Sequence, residues 1–166
     1  MGAVWWDSPE SRQTRRDMFG DVRMLCQDTG LINPIGLWVL RQACCDALEW
    51  KDVTLSVNIS AAQLRNPEFP IQLGHILEET GFDPGRLELE ITETTLMVDP
   101  KRTIKLLNEL YAMGLHLSID DFGTGYSSLA YVRRFPIDVL KIDRSFIAEI
   151  TTNSADAAIT TAIIEM

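Results

Sequence analysis

Asp120 and Asp121 stand side by side at the end of the apolar run Leu117–Ile119. Desolvating two like charges together costs several kcal/mol unless a cation or a proton compensates. The pair therefore points to a metal or acid–base role at the end of a buried strand. The glycine-bearing loop Phe122-Gly123-Thr124-Gly125 follows, and Ser127-Ser128 can cap a helix whose N-terminus favours an anion. Other apolar runs also end in polar groups, namely Asn58-Ile59-Ser60, Glu90-Ile91-Thr92-Glu93 and Lys141-Ile142-Asp143.

Asn58, Glu90, Asp120 and Asp121 are hard oxygen donors, and Lys141 is a cation. Such donors without neighbouring His or Cys suit Mg²⁺ or Mn²⁺ rather than zinc. They can hold one or two divalent ions, activate a water and stabilise a pentacoordinate phosphate. Lys141 can orient that water or neutralise developing charge. Glu88 alternates onto the same face as Glu90 and reads as the partner of a basic side chain rather than as a ligand. An Asx turn or a solvated strand end competes as an explanation for any one of these residues; four strand ends with compatible groups favour a site. His75 and His116 have no ligand spacing, and Ser60, Ser127 and Ser128 have no recognisable base, so zinc chemistry and a serine nucleophile are unsupported.

These groups need a scaffold of parallel strands. The runs Val53–Ile59, Leu87–Ile91, Leu115–Ile119 and Val139–Ile142 read as strands. Asn33-Pro34 reads as the N-cap and first residue of a helix running to Trp50, with Ile35, Trp38, Val39, Ala43 and Leu48 as its stripe. Asp99-Pro100 repeats the signal, with Ile104, Leu107, Leu110 and Tyr111 as stripe and Gly114 as stop. Strand–helix alternation implies parallel pairing, and chemistry at the carboxyl ends of several strands marks a (β/α) barrel or an open α/β sheet.

With 166 residues the chain is read as one domain. Its net charge of −9 disfavours binding to DNA or any phosphate backbone, while leaving room for a small phosphorylated ligand bridged by metal. Cys26, Cys44 and Cys45 fit neither a disulfide framework nor a metal site and read as reduced, cytoplasmic cysteines. No membrane span is expected in this segment. Trp5-Trp6 reads as packing material and Arg12, Arg15 and Arg16 as a solvated face.

The segments Gly30–Ile32, Gly36–Leu40, Val57–Ser60, Leu87–Glu93, Ile119–Leu129 and Leu140–Phe146 together resemble the EAL domain family, the cyclic-di-GMP-specific phosphodiesterases of bacterial signalling. The resemblance implies a modified (β/α)₈ TIM-like barrel and metal-dependent hydrolysis of cyclic-di-GMP to linear pGpG. It implies that Asn58, Glu90 and Asp120 are metal ligands, that Asp121 belongs to the metal–water site, and that Lys141 contacts that water or the phosphate. Glu93 resembles the glutamate that supports the loop after the acid pair, here Phe122–Ser128, and Asp143 lies near the site.

Residues 1–29 follow the family loosely and 30–166 form the family-like core. Met1-Gly2-Ala3 occupy the place of the name-giving Glu-x-Leu strand, and Trp5 that of a substrate-contacting arginine. The apolar face Ala158, Ile159, Ala162, Ile163 and Met166 ends before the strand that carries a second essential glutamate. A complete barrel takes about 250 residues, so the expectation is a partial barrel lacking its last strands, and poor or no hydrolysis by this chain alone. A receptor that binds cyclic-di-GMP without cutting it, or a truncated fragment, is the alternative. Self-association, as a homodimer or otherwise, is expected through open sheet edges and the uncovered helix face.

Overall fold

The computed structural model describes residues 26, 30–124, 132–148, 150, 151 and 153–165. Strands β1 (Leu55–Asn58), β2 (Leu87–Thr92), β3 (His116–Phe122) and β4 (Val139–Ile142) form a parallel sheet in sequence order. Helices α1 (Ile32–Asp46), α2 (Ala61–Arg65), α3 (Phe69–Thr80), α4 (Glu93–Leu96) and α5 (Pro100–Ala112) lie between the first three strands or ahead of them. Helices α6 (Arg144–Ala148) and α7 (Ser154–Ile164) follow β4.

The sheet has two chemically opposed faces because strand residues alternate. Leu87, Leu89 and Ile91 of β2 and Leu117 and Ile119 of β3 are fully buried. They join Leu73 and Ile76 of α3 and Leu107 and Leu110 of α5 in one apolar core. The register puts Ser56 beside Glu88, Asn58 beside Glu90, Glu90 beside Ser118 and Thr92 beside Asp120. Partners in register share a face, so the opposite side of the sheet is polar.

Local chemistry sets the connections. Ser60 caps α2 through a reciprocal box with Gln63, and Asp99 caps α5 by accepting from the Arg102 amide. At the amino end of the sheet, Arg86 lies over the Phe82 ring at 4.8 Å and donates to the carbonyls of Ala47, Trp50 and Val53. One guanidinium thus ties the α1–β1 connection to the start of β2.

Two expectations need correction. The helix begins at Ile32 with Leu31 at the N-cap position and no side-chain cap, so Asn33 is not the cap, and its Oδ1 is buried without a partner among the described residues. Leu37, Leu40, Cys44 and Ala47 are the core-facing stripe of this segment, whereas Trp38 is 63% exposed and Ile35 and Val39 are also exposed. A helix with apolar residues on two sides offers two stripes, and the core takes the one whose side chains reach β1 and α3. The second correction concerns β3, which does not stop at Ile119 but runs through the acid pair to Phe122. Trp5-Trp6, the Arg12–Arg16 cluster, Ser127-Ser128 and Met166 lie outside the described residues.

Leu89 is the test of the core. It has no solvent exposure in a central strand. Leu89→Ala is expected to lower the unfolding free energy by about 2–5 kcal/mol, read from urea denaturation followed by circular dichroism; a loss below about 1 kcal/mol would contradict the packing described.

Candidate active site

Glu88, Glu90 and Lys141 meet on the polar face of the sheet, while Asp120 stands beside Thr92 at the carboxyl end of the same face. Lys141 Nζ lies 2.6 Å from Glu88 Oε1 and also pairs with Glu90 Oε1. Glu88 further accepts from Ser118 Oγ at 2.9 Å. Burial pushes the Glu88 carboxyl up, but the hydrogen bonds from Lys141 and then Ser118 outweigh it and bring the group below its ordinary value. Burial likewise opposes the charge on Lys141, and the two glutamates overcome it and raise the ammonium. The pairing read from the position of Glu88 is therefore present. Ser118, which the sequence reading passed over, was legible by the same alternation: it lies two residues before Asp120.

The acid pair occupies a β-bulge. Ile119 pairs with Leu140 and Phe122 with Ile142, so β3 carries one more residue than β4 between the same two rungs. Asp121 takes φ 53°, the left-handed value that Asp and Asn tolerate better than other side chains. Burial first, then the charges of Asp120 and Asp143, raise the Asp121 carboxyl above its ordinary value, with a hydrogen bond to Asp143 adding to the shift. Asp143 moves the other way, because Ser145 donates to it from both its hydroxyl and its amide, the latter at 2.8 Å.

Glu93, 2% exposed, accepts from the Gly123 amide at 2.7 Å. The loop it supports is described only as far as Thr124; residues 125–131 lie outside the described part. Asn58 and Asp121 line a cleft of about 550 Å³ with Ser60, Thr92 and Glu93, walled on one side by Ile35 and Val39 of α1. His116 is elsewhere, 3.5 Å from Asp138 at the opposite end of β3, and His75 lies on α3 in a groove with Arg41 and Glu79.

As metal donors these groups are right in kind: an amide and carboxylates, all hard oxygens. The repulsion around Asp121 is the electrostatic condition that a divalent ion relieves. In number they fall short, since among the described residues no three His, Cys, Asp or Glu side chains gather closely enough to hold an ion by themselves.

Comparison with known proteins gives the same answer as the geometry. The EAL domain family profile matches residues 10–166. The chain belongs to the EAL domain family. It is 44% identical over 147 residues to the cyclic di-GMP phosphodiesterase NbdA of Pseudomonas aeruginosa, covering 86% of this chain and 19% of that protein. It is 43% identical over 152 residues to the bifunctional diguanylate cyclase/cyclic di-GMP phosphodiesterase MucR of the same organism, covering 89% of this chain and 22% of MucR. The solved PaMucR phosphodiesterase, in complex with c-di-GMP, superposes with a TM-score of 0.82 at 43% identity, over 88% of this chain and 61% of that one. This EAL chain thus spans about a fifth of the length of those curated relatives. The parallel sheet and its helices correspond to part of a TIM-like barrel. No helix among the described residues is long and apolar enough to cross a membrane.

The raised Asp121 carboxyl fixes a sign. A group whose pKa is higher folded than unfolded contributes stability below its unfolded value and loses it as pH rises through the folded one. At neutral pH the Asp121 carboxylate therefore weakens the fold. Asp121→Asn, which keeps the left-handed backbone, is expected to raise the thermal midpoint near pH 7. That gain should vanish at about pH 3, where both proteins are uncharged at this position. An Asn variant less stable than the parent near pH 7 would contradict the electrostatic account.

Proposed function

We propose that this chain forms the central part of a cyclic-di-GMP phosphodiesterase site, and that by itself it binds the nucleotide while hydrolysing it slowly or not at all. The observation that carries the reading is the joining of Asn58 and Asp121 in one cleft, with Lys141 held between Glu88 and Glu90 on the same polar face as Asn58. The relatives named as cyclic-di-GMP phosphodiesterases and the nucleotide-bound PaMucR support the choice of ligand.

In this reading Asn58, Glu90, Asp120 and Asp121 are the residues that would hold Mg²⁺ or Mn²⁺. Such an ion would supply Lewis acidity for a phosphate oxygen and for water. Lys141, kept protonated by its two glutamates, meets the negative charge that builds on the phosphate. Asp121 accepts or shares a proton at the cleft wall, with Asp143 as its hydrogen-bond partner. Glu93 holds the Gly123 backbone, and through it the end of β3.

Slow turnover follows from the donor set. Among the described residues no three His, Cys, Asp or Glu side chains are placed to hold an ion, and Glu90 is already engaged by an ammonium. Loss of one electrostatic partner from such a site costs about 10²–10³ in rate. The same engagement of Glu90 favours the second reading, a receptor that retains the dinucleotide uncut.

Calorimetry and product chromatography on the purified chain with Mn²⁺ and cyclic-di-GMP separate the outcomes. Binding at micromolar or tighter, with little or no pGpG, is expected, and Lys141→Met should weaken binding by about tenfold, as removal of a charge-assisted contact worth about 1.4 kcal/mol does. Metal-dependent turnover at about 1 s⁻¹ or faster, an ordinary enzyme rate, would overturn the slow-hydrolysis reading and leave the nucleotide site standing. Neither binding nor turnover would overturn both.

A further inference from the structure

We propose that Phe146 is a positioning residue for the acid pair, its ring acting as a stop against Gly123 in addition to the hydrogen bond that Gly123 makes to Glu93. Gly123 has φ 102°, and a Cβ built there would lie 2.7 Å from Phe146 Cε2 and 3.1 Å from Cζ. The ring therefore stands where any side chain at this position would have to go. The Gly123 amide also donates to the buried Glu93 carboxylate at 2.7 Å. The glycine is held by α4 through a hydrogen bond and by α6 through van der Waals contact.

That grip is coupled to the acids by short paths. Asp143 donates its amide to the Phe122 carbonyl at 3.1 Å, and the Phe146 amide donates to the Asp143 carbonyl at 3.2 Å. The ring is thus fixed to the end of β4, and β4 to the residue between Asp121 and Gly123. Asp121 itself sits in a left-handed backbone state at the bulge, which an unrestrained strand end has no reason to keep. A hydrogen bond to Gly123 resists motion away from Glu93 but resists sliding poorly; a ring in contact supplies that missing constraint. Removing it leaves Gly123 space to move, and Asp121, two residues back along the chain, moves with it. A misplacement of about 1 Å in a catalytic group can cost about 10² in rate.

The consequence for nucleotide binding rests on the functional reading above; the constraint on the loop does not. The test uses amide hydrogen exchange by NMR on the full chain, comparing Phe146→Ala and Phe146→Tyr with the parent. Phe146→Ala is expected to speed exchange of the Gly123 amide by about tenfold or more while leaving Ile91 and Ile119 of the sheet unchanged, and Phe146→Tyr to restore protection. Unchanged Gly123 exchange in Phe146→Ala overturns the proposal. So does faster exchange shared by Ile91 and Ile119, which makes the ring general packing. In a parallel calorimetric titration with cyclic-di-GMP and Mn²⁺, Phe146→Ala should bind about fivefold or more weakly and Phe146→Tyr like the parent. Undiminished binding by Phe146→Ala overturns the link to the site. A parent that does not bind refutes the functional reading, and the exchange measurement then decides on the stop alone.

Discussion

Neighbouring residues on a strand face opposite ways, and that rule would send one of two adjacent aspartates into the apolar layer beneath the sheet. The site depends on how this conflict is resolved. Ile119 and Phe122 both belong to the core, at 0% and 3% exposure, with Asp120 and Asp121 between them. In a regular strand Ile119 and Phe122 could not share a face. The extra residue of the bulge and the left-handed turn at Asp121 let the chain leave the core at Ile119, carry both carboxylates past it, and return at Phe122. The apolar anchors on either side supply the free energy that holds Asp121 in an uncommon conformation beside two like charges.

The polar face has its own constraint. Glu88 and Glu90 project from one strand on the same face, and two unpaired carboxylates there would destabilise the sheet or take up protons. Lys141, reaching from β4, joins Glu88 to Glu90 and places a positive charge between them. Removing one partner from such a pair is costlier than the pair is worth, because an uncompensated charge is left behind. The alternation along β2 thus serves two ends: Leu87, Leu89 and Ile91 build the core, while Glu88 and Glu90 build the site between them.

Much of this was legible in the sequence. Val139–Ile142 was read with its observed ends, and Leu87–Ile91 is one residue short of the observed strand. The Asp99 cap and the pairing of Glu88 with a basic group also followed from local rules. Periodicity carries such features because they depend on one strand or one helix end. It failed where two periodic answers coexist. In α1 both Ile35/Trp38/Val39 and Leu37/Leu40/Cys44 are helical stripes, and which one is buried depends on what packs there. The end of β3 was misplaced for a related reason: two acids before a glycine look like a strand stop, and only pairing with β4 shows the strand continuing through a bulge. The contact of Gly123 with Phe146 joins residues from different elements, and no local pattern encodes it.

The same arrangement explains why a donor set of the right kind need not amount to a working metal centre. A divalent ion at Glu90 would compete with the Lys141 ammonium for one carboxylate, and at short range two cations on the same oxygens repel. Glu88 moderates this competition, because Lys141 can keep its bond there while Glu90 turns to the ion. Ser118, donating to Glu88 from the adjacent strand, holds that second partner in place. Without Glu88 the lysine would have Glu90 alone, and metal binding there would strip a half-buried ammonium of its counter-charge. Glu88 would thus serve such a site without ligating anything: it gives Lys141 somewhere to stay, so that charge could be redistributed on the polar face without any group being left unpaired.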